Sequence, residues 1–258
     1  MSWELVAQAI LGRCPPWLDR FLSQVGRGVH RHGMIRPGDR ILVGVSGGKD
    51  SIATALALAL RRRRVRAGYD LAAAMIDWAE FPARPQDLDL IHSFFELLGL
   101  TFWVRRGSLA ALAGSRGLSC YSCARARKRL LFETAKAEGF GTVALGHHLD
   151  DFVATALMNL CFRARPEPLE PVREFFGGEI RVIRPLCELR ESSVVSLSRR
   201  LELPVISIKC PHAEDNLRNR LAPIVAELAK MDTLVRENIY NSWYGRERGE
   251  EGRWKSGT

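Results

Sequence analysis

The spacing of apolar and polar positions predicts alternating strands and helices. Short apolar runs bounded by turn residues occur at Arg40 to Val45, Tyr69 to Ile76, Thr101 to Val104, Thr142 to Leu145, Ile180 to Ile183 and Val205 to Ile208, and each is read as a strand. Between them, Ser51 to Arg64, Asp87 to Leu98, Cys123 to Glu138, Asp150 to Cys161 and Ser192 to Leu201 repeat apolar residues at i, i+3 and i+4, the period of a helix with one buried face. This alternation from about residue 38 to 210 is the signature of βαβ units around a parallel sheet. Residues 3–33 read as one or two helices broken by Pro15 and Pro16, and Leu217 to Trp243 reads as helical. The expected organisation is an N-terminal helical segment (1–37), an α/β domain (38–212), a C-terminal helical segment (213–244) and a disordered, Gly- and charge-rich tail (245–258). No internal repeat is visible.

Composition adds limits. The 258 residues are 47% hydrophobic and 26% charged, which excludes collagen-like, low-complexity and wholly disordered classes. The longest apolar runs, such as Ile52 to Leu60, fall far short of the roughly 20 residues that a membrane helix needs. The start carries Glu4 ahead of a short apolar stretch and lacks the features of a secretory signal, so a cytoplasmic location is expected. In that reducing compartment the six Cys point to metal binding or chemistry rather than disulfides. Lys plus Arg exceed Asp plus Glu by 38 to 29, a net charge of +9 that suggests a polyanionic partner. The excess gathers at Arg61 to Arg64 with Arg66, at Arg105 and Arg106, and at Arg125, Arg127, Lys128 and Arg129. The first of these suits a helix C-terminus.

Candidate chemistry begins at Val43-Gly44-Val45-Ser46-Gly47-Gly48-Lys49-Asp50-Ser51, an apolar strand running through a Gly-Gly turn into a helix. Such a loop turns backbone N–H groups toward an anion, and the helix N-terminus behind it adds partial positive charge. Lys49 adds a point charge, Ser46 and Ser51 add hydroxyls, and Ser51 stands where an N-cap is expected. A carboxylate beside phosphates is repulsive unless it holds a cation, so Asp50 is assigned to Mg²⁺. A second string, Ala144-Leu145-Gly146-His147-His148-Leu149-Asp150-Asp151, follows the fourth strand and opens a helix. Ligands sit at the carboxyl ends of strands in open parallel sheets, so this string and the phosphate loop are expected to face one site, with Met75, Ile76 and Asp77 lining an adenine pocket. Asp150 and Asp151 also suit N-capping.

Cys120-Tyr121-Ser122-Cys123 opens the basic helix, and Cys210 follows the last expected strand. A CxxC suits a redox dithiol, a structural zinc completed by Cys210 and His212, or, with three thiolates and no fourth protein ligand, an iron–sulfur cluster with one open iron. Cys14, Cys161 and Cys187 lack such spacing and are expected to be buried small hydrophobes.

The Ser46 to Ser51 string resembles the SGGxDS pyrophosphate loop of N-type ATP pyrophosphatases. Together with Met34-Ile35-Arg36-Pro37-Gly38-Asp39-Arg40, the CxxC followed by Ala124-Arg125, ALGHHLDD and Ile183-Arg184-Pro185-Leu186, it resembles the tRNA 2-thiocytidine synthetase family over residues 20–243, with tRNA 2-thiouridine synthetases next. The Cys210-Pro211-His212 region departs from the second Cys-rich signature of typical thiocytidine enzymes.

The resemblance implies a Rossmann-like, adenine nucleotide alpha hydrolase-like parallel sheet, with 38–212 as the PP-loop ATP pyrophosphatase domain. It implies a [4Fe–4S] cluster on Cys120, Cys123 and Cys210, with zinc as the alternative, and ATP with Mg²⁺ activating C2 of a tRNA pyrimidine, typically the anticodon-loop cytidine. Lys49, Asp50 and Asp151 are the expected catalytic residues. Val45, Ser46, Gly47, Gly48, Lys49, Asp50, Ser51, Met75, Ile76, Asp77, Gly146, His147 and Asp150 are expected to bind the nucleotide. The partners are tRNA, held in part by the basic helix, Arg163 and Arg165, and an unidentified sulfur donor, with a homodimer allowed and no membrane. The residues also admit a PP-loop enzyme with another acceptor, or a zinc-stabilised RNA-binding protein without catalysis.

Overall fold

The computed structural model describes residues 3–65, 68–110, 120–208 and 217–245, apart from the side chains of Cys120, Arg218 and Asn219. Two helices, α1 (Glu4–Ile10) and α2 (Pro16–Arg31), precede the sheet. Pro16 takes the first helical position of α2, where its missing N–H costs nothing.

Contacts divide the chain into two units. The first holds 1–148 and 170–216, the second 149–169 and 217–258. The first unit is an α/β layer built on β1 (Arg40–Val45), β2 (Asp70–Trp78), β3 (Thr101–Gly107), β4 (Thr142–Ala144), β5 (Val172–Phe175) and β6 (Ile180–Ile183). Their order is β3-β2-β1-β4-β6-β5, parallel except for β5, which pairs antiparallel with β6. Helices α3 (Lys49–Arg62), α4 (Pro85–Leu98) and α5 (Cys120–Ala137) are the crossovers, and α7 (Glu191–Arg200) follows β6.

Strand order reverses between β1 and β4, so the carboxyl ends of those two strands frame the crevice where this architecture binds ligands. The central strands are buried on both faces and therefore read as continuous apolar runs. Small residues let α5 lie close. A Cβ on Gly44 would stand 2.7 Å from Leu131 Cδ2, and Leu131 and Phe132 pack over Leu42, Ala72 and Ala74. Helix α3, apolar along Ile52 to Leu60, is buried all round. Helix α4 ends at Gly99, whose left-handed φ of 66° forms the C-cap. Buried Arg181 donates from Nη2 to the Met34 carbonyl (3.0 Å) and the Asp39 carboxylate (2.5 Å), tying the segment before β1 to the sheet.

In the second unit, α6 (Leu149–Arg163) joins α8 (Leu217–Met231) and α9 (Val235–Tyr244) around Phe152, Tyr240 and Tyr244, whose rings meet edge-on or tilted. The sequence placed α6 with the α/β domain; its contacts group it with the C-terminal helices.

Several expectations change. The residues Val205–Ile208 form no strand: the segment has no regular secondary structure, and Ile206 N–H donates instead to the Gly47 carbonyl at 2.9 Å. β5 was not foreseen. Leu217 to Trp243, expected to be helical, holds two helices separated by residues 232–234. Cys187 is buried and Cys14 half-buried, but Cys161 is exposed, because it lies in the solvent-facing end of α6. Arg64 pairs with Asp19 at 2.7 Å, and Arg61 and Arg62 close α3 as a cationic helix end. Arg66, Cys210, His212 and the tail from 246 lie outside the described residues. Among the described residues, no helix is long and apolar enough to cross a membrane.

Candidate active site

The phosphate loop leaves β1 at Val45 and turns at Gly47, whose φ of +83° is open to glycine at little cost. Gly47 also leaves room for Ile206: a Cβ there would lie 2.4 Å from Ile206 Cγ1. Helix α3 begins at Lys49 with Gly48 as N-cap, and no side chain caps it. Ser51 is thus not the cap; it stands in the first turn, because the helix starts two residues earlier than the sequence suggested. Its hydroxyl accepts from Ser46 N–H (3.1 Å), donates to the Gly48 carbonyl (2.9 Å) and lies 3.2 Å from Ser46 Oγ, while Gly48 N–H donates to Ser46 Oγ (3.3 Å). Both serines therefore shape the turn. An uncapped helix start behind a Gly-Gly turn fits a phosphate group.

Lys49 Nζ donates to Glu191 Oε1 at 2.8 Å and to Asp50 Oδ2 at 3.2 Å. Burial disfavours its charge, but the two carboxylates outweigh that and hold its pKa above the ordinary lysine value. The cation that Asp50 was argued to need is thus partly supplied by its neighbour. Asp50 Oδ1 also lies 3.8 Å from Nε2 of buried His148.

That contact places His148, of the string Ala144 to Asp151, beside the phosphate loop. Gly146 makes the approach possible, since a Cβ there would lie 2.7 Å from the Asp50 carbonyl. His148 is the histidine that faces Asp50; His147, the residue expected to bind nucleotide, is half-buried.

Met75 pairs in register with Val45 at the carboxyl end of the sheet and is fully buried. Ile76 packs with Trp78, Leu109 and Ala126. Buried Asp77 anchors the turn after β2, its Oδ1 accepting Ala83 N–H at 2.8 Å. In the second unit, Asp150 and Asp151 stand in the first turn of α6, where the helix dipole favours them, and Asp150 Oδ1 accepts Arg236 Nε at 2.6 Å.

The CxxC occupies the first turn of α5, with Cys123 packed against the Ile76–Trp78 cluster. A CxxC at a helix N-terminus, with Arg125 two residues further on, suits an iron–sulfur or zinc centre. Among the described residues no group of three or more His, Cys, Asp or Glu gathers around a metal position. Glu191 and Ile206 were missed, since each reaches the loop from more than 140 residues away with no local spacing to betray it.

The PP-loop domain family matches residues 20–225. The chain is 35% identical over 223 residues to the tRNA-cytidine(32) 2-sulfurtransferase of Geobacter sulfurreducens, covering 84% of this chain and 86% of that one. It is 33% identical over 230 residues to the enzyme of the same name from Pelobacter propionicus, covering 87% and 84%. Among solved structures, the U34-tRNA thiolase NcsA from Methanococcus maripaludis with its [4Fe–4S] cluster superposes with a TM-score of 0.71 at 21% identity, covering 88% of this chain and 77% of that one. With a matched domain spanning most of its length and relatives this similar over almost all of theirs, the chain belongs to the PP-loop family and, within it, to the tRNA-cytidine(32) 2-sulfurtransferases.

Proposed function

We propose that the chain is an ATP-dependent tRNA sulfurtransferase that converts an anticodon-loop cytidine into 2-thiocytidine. The observation that carries this reading is a pyrophosphate-type loop, uncapped at α3 and turned by Gly47, in a chain 35% identical to a tRNA-cytidine(32) 2-sulfurtransferase.

The C2 oxygen of cytidine attacks the α-phosphorus of ATP and pyrophosphate leaves. A sulfide equivalent then attacks C2, and the C2–O bond breaks to release AMP. Activation comes first because a pyrimidine carbonyl is a poor leaving group.

The loop amides and α3 N-terminus receive the β and γ phosphates, and Lys49 opposes the charge that grows on pyrophosphate. Asp50 is the carboxylate assigned to Mg²⁺, with His148 orienting it. Val45, Met75, Ile76 and Asp77, at the carboxyl ends of β1 and β2, are assigned to the adenine side. The roles of Asp150 and Asp151 rest on the ALGHHLDD string. Cys120, Cys123 and Cys210 are the thiolates that would hold a [4Fe–4S] cluster, which would supply an iron free of a protein ligand and able to carry sulfur.

Mass spectrometry of tRNA nucleosides from cells lacking the protein tests the reading. Loss of 2-thiocytidine is expected; loss of a 2-thiouridine instead moves the target to uridine. Anaerobically purified protein should be brown, and colourless protein holding one tight zinc sinks the cluster assignment.

A further inference from the structure

An open groove of about 910 Å³ runs along α5 from Tyr121 to Lys136, with Phe175, Phe176 and Glu179 of the β5–β6 hairpin on its other side. Its upper end is the CxxC turn itself, since Tyr121 stands between the two cysteines.

The charges in the groove are of two kinds. Arg129 and Lys136 have carboxylate partners, Glu133 at 2.7 Å and Glu179 at 3.0 Å. Among the described residues, Arg125 and Lys128 in the groove, and Arg173 beside its Phe175 wall, form no ion pair. Instead Lys128 Nζ lies 4.8 Å from the centre of the Phe175 ring and the Arg173 guanidinium carbon 5.4 Å from the same ring. Burial, then Arg173, Arg125 and Arg184, push the Lys128 ammonium below the ordinary lysine pKa. Cations crowded together in this way are relieved by a polyanion.

On the aromatic side, the Phe176 ring meets Phe132 edge-on at 6.1 Å and Phe175 at 6.4 Å but leaves most of its surface open. Phe176 is 67% exposed although its φ is +55°, a left-handed conformation that a bulky side chain rarely adopts. Strain of this kind collects at binding sites. At the other end of the groove, Tyr121 is 75% exposed. Cations interleaved with exposed rings match single-stranded RNA, whose phosphates take the charges and whose unstacked bases take the rings. A duplex offers no free base faces, and an acidic peptide has no use for both rings.

We propose that this groove is the track for a single-stranded segment of the RNA substrate, running toward the CxxC turn, with Arg125, Lys128 and Arg173 on phosphates and Phe176 and Tyr121 stacking on bases. This deepens the tRNA reading and rests on it.

The test is fluorescence anisotropy of the full chain with unmodified tRNA across a salt series, with ATP affinity measured on the same samples as a control for folding. Lys128→Gln with Arg173→Gln removes two phosphate contacts, so the slope of log Kd against log salt should fall by about 1.4, at about 0.7 for each single-strand contact. Phe176→Asn keeps a residue that tolerates the left-handed turn and should weaken binding at least about fivefold with an unchanged slope. ATP affinity should not move in either variant. Wild-type affinity and slope in both variants, while the unaltered chain binds tRNA, overturn the groove assignment alone. Failure of the unaltered chain to bind tRNA overturns the thiolation reading, and the groove with it.

Discussion

Replacing Gly146 by Ala tests whether the two loops of the site are held by direct backbone contact. A Cβ there would stand 2.7 Å from the carbonyl carbon and oxygen of Asp50 and 2.8 Å from the Ser51 nitrogen. All three atoms belong to the first turn of α3, so no side chain can swing aside. Ordinary contact between such atoms is about 3.5 Å, so the loops must separate by roughly 0.8 Å. Overpacking of this kind costs about 1–3 kcal/mol, which lowers Tm by about 2–12 °C in a domain of this size. The displaced part is the phosphate loop, and misplacement on this scale can cost about 100-fold in a positioned reaction, so ATP binding should weaken as well. Thermal melts without nucleotide and a titration with ATP read the two effects separately. Gly68→Ala is the control, because its Cβ meets nothing within 4 Å and its φ is not left-handed. A Gly146→Ala protein that melts and binds ATP like the unaltered chain refutes the contact argument.

Three further outcomes are expected. Glu191→Gln removes one of the carboxylates that hold Lys49 protonated, so the Lys49 pKa should fall; freed for phosphate, Lys49 should tighten ATP binding by up to about fivefold, the scale of a half-exposed ion pair, and weaker binding would show Glu191 to be a ligand site instead. Asp77→Ala strands the buried Ala83 N–H and should cost about 1–3 kcal/mol in a melt, with Asp77→Asn, which keeps an acceptor, recovering most of it; equal losses would deny the anchor. Backbone N–H groups of Ala110 and Leu109, and the Ser108 hydroxyl, bring Glu80 from 4.5 to about 2. A depressed carboxylate pKa stabilises the fold above 4.5 and loses that contribution as pH falls through about 2. The Tm difference between the unaltered chain and Glu80→Gln should therefore shrink between about pH 5 and pH 2, and a constant difference speaks against it.

The central sheet was legible because strands buried on both faces are written as uninterrupted apolar runs, as in Leu71 to Ile76. β5 was not, because Val172-Arg173-Glu174-Phe175 lies at the sheet edge, where charged side chains break the apolar run. The opposite error occurred at Val205 to Ile208, an apolar, β-branched run that looks like a strand. Its apolar character serves another purpose: Ile206 fills the space left by Gly47, and its N–H satisfies the Gly47 carbonyl. Period alone cannot separate a strand from an irregular prop of this kind. The serine hydrogen bonds of the phosphate loop span five residues or fewer, so a local string sufficed to find the turn.

The charge logic of the loop was half legible, and the missing half changes how ATP affinity must arise. A carboxylate at Asp50 does need a cation, but the sequence could not show that Lys49 already serves it, nor that Glu191 arrives from α7 to take the same ammonium. One cation is thus shared by two carboxylates before any nucleotide is bound. When phosphate reaches Lys49 it exchanges one anionic partner for another, so the gain from that charge is a difference between two ion pairs and is small for groups this exposed. The affinity must then come chiefly from backbone donors, namely the first turn of α3, which no N-cap side chain satisfies, and the Gly-Gly turn, where Gly48 N–H gives up a long 3.3 Å bond to Ser46 Oγ. Those donors are positioned by the left-handed Gly47 and the close approach of Gly146, with the Ser46 and Ser51 hydroxyls bridging the turn. For this reason the two glycines, which carry no functional group, should govern nucleotide binding more strongly than the lysine that the motif displays.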